Sequence, residues 1–118
     1  MMRLYGIPNC NTVKKARAWL AENNIDVQFH DFKKDGVSAA LINSWLEQVP
    51  WEKLVNRVGM TWRGLSEAAK AGIRDKPSAL RLILEKPSVI KRPVLVKNGK
   101  ILHLGFDETA YGKLLKNE

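Results

Sequence analysis

A chain of 118 residues, 45% of them apolar, is long enough for one domain to bury a core without disulfide or metal staples. Its single cysteine excludes an internal disulfide and a cysteine-built metal cage, and no run approaches the roughly 20 apolar residues of a membrane span. The net charge of +8 favours an anionic partner, but the Lys and Arg residues are scattered rather than gathered in a run, which disfavours nucleic acid.

Met2-Arg3-Leu4-Tyr5 reads as a short strand ending at Gly6. With no long apolar stretch behind Met1 and only one cysteine, the expected setting is reducing, most simply the cytoplasm, with no membrane contact. Residues 11–22 form an amphipathic pattern with Val13, Ala16, Trp19 and Leu20 on one face, and Gly6 and Pro8 make the turn between strand and helix. Cys10 therefore stands at the start of a helix, where unsatisfied N–H groups and the positive end of the dipole favour an anion. A lone cysteine is commonly a small buried hydrophobe. The polar run Pro8-Asn9-Cys10-Asn11-Thr12 argues instead for a reactive thiol, with Lys14 and Lys15 adding positive field.

Asn23-Asn24 stops the helix, and Val27 to Phe32 alternates as a second strand, so the first third is a βαβ unit with parallel pairing expected. His30 on that strand is left without a role. Lys33-Lys34-Asp35-Gly36 is a polar turn, and Ser38 is the expected N-cap of a helix with Leu41, Ile42, Trp45 and Leu46 inward, ended by Pro50. One helical turn follows at Trp51–Val55, then a loop from Asn56 to Leu65, a short helix from Ser66 to Ala71 closed by Gly72, and a helix from Ala79 to Glu85, opened by Pro77 or Ser78, with Leu80, Ile83 and Leu84 inward. Trp19 and Trp45 read as core, while Trp51 and Trp62 could serve a core or a partner surface. Val94–Lys97 and Lys100–Leu104 flank Asn98-Gly99, a strong signal for a two-residue hairpin. Asp107 is the expected N-cap of the last helix, with Leu114 and Leu115 as its apolar residues. The order β-α-β, helical insert, β-β-α is the thioredoxin architecture interrupted in its middle. The expectation is an α/β fold with a four-stranded mixed sheet, one domain over residues 1–118 and an insert at about 38–86.

Pro8-Asn9-Cys10, the insert, Lys91-Arg92-Pro93-Val94-Leu95-Val96 and Gly105-Phe106-Asp107 together resemble the arsenate reductase (ArsC/Spx) family, nearest its YffB-like branch. The resemblance spans essentially the whole chain and implies a thioredoxin-like fold with a cis proline at Pro93. It implies Cys10 as nucleophile and Arg92 as the arginine that holds an anionic substrate. Of the family's other two arginines, Arg57 is the nearest candidate for one, although Asn56 falls on the aligned position. The other is replaced within Ile101-Leu102-His103-Leu104, and Gly6 replaces the family histidine ahead of the cysteine. An oxyanion is held best by paired guanidinium contacts, so arsenate reduction is weakened as a reading. Val13 stands where Spx-like regulators carry a second cysteine, which excludes a dithiol switch within the chain.

What the resemblance leaves is a monothiol oxidoreductase that forms a mixed disulfide with glutathione or another small anionic thiol, with no bound cofactor or metal. Asn11 or Thr12 would donate a hydrogen bond to the sulfur, Lys14 would lower its pKa, and Arg92 and the backbone beside Pro93 would hold the substrate. Asn9 and Arg57 are further candidates, and Asp107 either meets the γ-glutamyl end of glutathione or simply caps its helix. The rival readings are an arsenate reductase coupled to glutathione and glutaredoxin, and a non-catalytic regulator that docks on RNA polymerase through Val58-Gly59-Met60-Thr61-Trp62.

Overall fold

The computed structural model describes residues 1–116, which divide into two compact units, one of residues 1–35 with 92–116 and one of residues 36–91.

The first unit begins with β1 (Met2–Gly6), α1 (Asn11–Glu22) and β2 (Gln28–Asp31), and resumes with β3 (Val94–Lys97) and β4 (Lys100–Leu104). Its sheet has the order β2-β1-β3-β4, with β1 parallel to β2 and antiparallel to β3. This is the mixed four-stranded sheet of a thioredoxin-like fold. Asn98 at φ 51° and Gly99 at φ 84° turn β3 into β4 as the Asn-Gly pair predicts, because both positions of such a turn need positive φ. In α1 the buried residues are Val13, Ala16 and Leu20, spaced to form one apolar stripe. Leu4, Ala16, Leu20, Leu95 and Tyr111 form the core on this side, with Trp19 packed partly buried against it.

The structure departs from expectation at both ends of this unit. Phe32 does not finish the second strand but opens a one-turn helix, α2 (Phe32–Asp35), because Asp31 Oδ1 accepts the N–H groups of Lys33 at 2.9 Å and Lys34 at 3.3 Å. In the closing helix, numbered α8 (Glu108–Leu115), the fully buried residue is Tyr111, whereas Leu114 is 44% exposed. The Tyr111 ring meets Phe106 edge-on at 4.8 Å and His103 at 5.6 Å, and these aromatic contacts set the inward face of the helix.

The second unit contains α3 (Ala39–Gln48), α4 (Trp51–Leu54), α5 (Met60–Arg63), α6 (Glu67–Ala71), α7 (Lys76–Glu85) and a 3-10 turn at Pro87–Val89. Ser38 caps α3 as its sequence predicts, and Ser66, expected as the first residue of the short helix, caps α6, each accepting the N–H three residues on at 3.1 Å. Trp45, Ile42, Leu54 and Ile83 are fully buried in this unit. Its middle is tied to its C-terminal end by Asn56 N–H to the Val89 carbonyl and Lys91 N–H to the Leu54 carbonyl, both 2.8 Å. The loop expected at 56–65 contains the helical turn α5, which starts after Gly59 and stops at Gly64. Helix α7 begins at Lys76 rather than being opened by Pro77 or Ser78, because Asp75 and Ser78 form a reciprocal capping box. That cap draws Ser78 inward, and the buried stripe becomes Ser78, Ala79, Leu82 and Ile83, leaving Leu84 39% exposed. Among the described residues no helix is long and apolar enough to cross a membrane.

Candidate functional site

In the antiparallel pairing of β1 with β3, Tyr5 lies opposite Val94. The chain leaving β1 through Gly6 therefore runs past the chain entering β3 through Arg92 and Pro93. Sheet register, not sequence proximity, brings Arg92 to Cys10. The Arg92–Pro93 bond is cis, in agreement with the expectation at that position. Pro93 is buried, and its carbonyl accepts the Gly105 N–H at 2.8 Å, which ties this segment to the end of β4. The Tyr111 hydroxyl in turn donates to the Gly105 carbonyl at 3.4 Å.

Cys10 is the N-cap of α1, with extended backbone at φ −125°, ψ 126° and its carbonyl accepting the Lys14 N–H at 2.9 Å. At this position a Ser, Thr or Asp oxygen normally accepts an N–H of the second or third helical residue. The cysteine side chain closes no capping hydrogen bond as a thiol, so the donors of the first turn remain available to a thiolate. No acidic residue stands in that turn to compete for them. Burial of the half-buried sulfur pushes the thiol up. The Val13 N–H, the Arg92 guanidinium beside the sulfur, the Thr12 N–H and the Arg92 charge together outweigh burial, and the Cys10 thiol ionises below its ordinary value.

The residues singled out in the sequence are distributed unevenly about this sulfur. Cys10, Arg92 and Thr12 come together, Thr12 through its backbone N–H. Asn9, Asn11 and Lys14 belong to the same exposed turn and helix start, but Lys14 is not among the groups that lower the thiol; the positive field comes from Arg92. Arg57 belongs to the second unit, where its guanidinium lies 5.5 Å from the centre of the Trp51 ring. Asp107 caps α8, its Oδ1 accepting the N–H groups of Thr109 at 2.8 Å and Ala110 at 3.4 Å, so the first donors of that helix are already engaged. Sequence reasoning missed Val13, read there only as an apolar residue. Its place as third residue after the cap is the signal that identifies its N–H as a donor to position 10. Among the described residues no cluster of three or more His, Cys, Asp or Glu could hold a metal ion.

A sequence profile described as the ArsC family matches residues 5–114. An uncharacterized protein of Haemophilus influenzae is 43% identical over 111 residues, covering 94% of this chain and 96% of that protein. A global transcriptional regulator Spx of Streptococcus pyogenes is 27% identical over 111 residues, covering 92% of this chain and 80% of the regulator. Among solved structures, a YffB protein superposes with a TM-score of 0.90 at 42% identity, covering 98% of this chain and 99% of that one. An arsenate reductase (ArsC) related protein from Brucella melitensis superposes with a TM-score of 0.78 at 46% identity, covering 94% of this chain and 91% of that one.

Proposed function

The chain belongs to the ArsC family, and from that premise we propose that it is a thiol-disulfide oxidoreductase whose Cys10 forms a mixed disulfide with glutathione. The observation that carries the reading is a half-buried sulfur at a helix start with a guanidinium beside it and its thiol lowered. The Cys10 thiolate attacks the glutathionyl sulfur of a substrate disulfide, forming a Cys10–glutathione disulfide and releasing the substrate thiolate. A second glutathione thiolate then attacks the glutathionyl sulfur, frees Cys10 and leaves oxidised glutathione. The electron pair that reduces the substrate thus comes from glutathione, and no second cysteine is required. Arg92 holds the carboxylates of the incoming thiol, and the backbone next to Pro93 offers peptide-type hydrogen bonds to it.

The test is intact-mass analysis of the reduced protein after incubation with oxidised glutathione at neutral pH, with glutaredoxin and free glutathione compared as regenerating thiols. One added glutathionyl group on Cys10 is the expected result. An unchanged mass, together with an alkylation rate no faster than that of a free cysteine, would refute the reading.

A second reading, a regulator that docks on RNA polymerase, is favoured by the likeness to a global transcriptional regulator Spx and by Val58 and Met60, 82% and 88% exposed in the second unit. Co-purification with polymerase that persists after Cys10→Ser would select it over the enzyme. Arsenate reduction draws less support, since β4 carries Ile101, Leu102, His103 and Leu104 with no arginine, and arsenate-dependent consumption of reducing equivalents would be needed to restore it.

A further inference from the structure

Gly6 ends β1 beside the first turn of α1, and a Cβ built on it would lie 2.9 Å from Val13 Cγ2 and 3.4 Å from Cγ1. The shorter distance is one that real Cβ atoms essentially never show. Val13 is fully buried and β-branched, so it has one strongly preferred rotamer in a helix and little room to swing either methyl away. A side chain at position 6 therefore forces Val13, or the helical turn that carries it, to shift.

We propose that Gly6 is a positioning residue for Cys10: by lacking a side chain it lets Val13 seat against β1 and so fixes where the first-turn N–H groups meet the sulfur. Val13 supplies one of those donors through its own N–H, and Cys10 is the cap of the same turn. The charged group acting on the sulfur is Arg92, from the chain entering β3, while Lys14 and Lys15 on α1 are not among the groups that lower the thiol. None of them is altered by a methyl group at position 6. The proposal rests on the reading of Cys10 as a reactive thiol.

The experiment measures the pH dependence of Cys10 alkylation in the full chain for wild type, Gly6→Ala, Val13→Ala and the double variant, with circular dichroism to verify folding. Gly6→Ala should raise the alkylation midpoint by about 0.5 pH unit. Removing the Val13 methyls in the double variant leaves the new Cβ facing the Val13 Cβ at 3.8 Å, an ordinary contact, so the midpoint should return to that of Val13→Ala. Should Gly6→Ala fail to fold, equal midpoints in the double variant and Val13→Ala support the proposal, and a higher one in the double variant overturns it. A folded Gly6→Ala protein with an unmoved midpoint also overturns it, leaving the reactive thiol intact. A wild-type midpoint as high as that of a free cysteine instead overturns the thiol reading itself.

Discussion

Two influences of opposite sign meet at the Cys10 sulfur, burial against the Val13 N–H and Arg92. Burial disfavours the thiolate, while a guanidinium that both donates a hydrogen bond and carries charge favours it. Replacing that group by an apolar chain of similar length, Arg92→Met, leaves burial opposed only by the N–H groups of Val13 and Thr12. Alkylation at neutral pH should slow by roughly threefold to tenfold and its midpoint should rise. Arg92→Lys should fall between, since an ammonium keeps the charge without the planar fork. Stopped-flow alkylation across pH checks both. The same imbalance links the thiol to stability. Folded Cys10 ionises below its unfolded counterpart, so its stabilising contribution is present above the ordinary thiol pKa of about 8.5 and is lost as pH falls through the lower folded value. The melting temperature of wild type relative to Cys10→Ser should therefore rise from neutral to alkaline pH, and a flat difference would contradict the assignment.

Among the helices, the caps decide where each one starts, and α7 gives the clearest case. Ser78 is 5% exposed, and its Oγ accepts the N–H groups of Arg74 at 2.9 Å and Asp75 at 3.1 Å while Asp75 Oδ1 accepts the Ser78 N–H at 3.0 Å. Ser78→Ala leaves two donors without their acceptor and should cost about 2 kcal/mol, read as a lower denaturant midpoint with an unchanged slope. The cost falls on the second unit, where α7 packs against α3. Caps at Ser38 and Asp107 were legible because a polar cap preceded an apolar pattern. The cap at Asp75 was masked by Pro77 and by a serine that serves the cap rather than the surface. Helix α5 was hidden for a different reason: glycines at both ends and no buried residue give it no periodic stripe to read.

Across the whole molecule, burial is distributed unevenly, and local stability should follow it. β3 carries Val94, Leu95 and Val96 at 5% exposure or less and pairs on both sides, whereas α5 and α6 bury no residue. Amide hydrogen exchange should be slowest in β1 and β3 and fastest in α5 and α6. Uniform protection would show that the second unit is held by more than its own buried residues. A protein organised this way sets Cys10 just after β1 and Arg92 just before β3, the strands expected to be most protected, which suits a site that depends on fixed donors rather than on a moving lid.

The chain by itself determined the elements whose signals are short-range: the strand-to-helix turn at Cys10, the Asn98-Gly99 hairpin, the helix over 11–22 and the order that implies the sheet. Tertiary structure alone decided which charged group acts on the thiol beside the Val13 N–H, because Arg92 reaches Cys10 only when β3 pairs beside β1, and Lys14, nearer in sequence, is not among the groups that act. It also decided the inward face of α8 and the seat of Val13 over Gly6. Contacts of that kind are set by register and packing between distant segments, and neither propensity nor periodicity within a window of the sequence contains them.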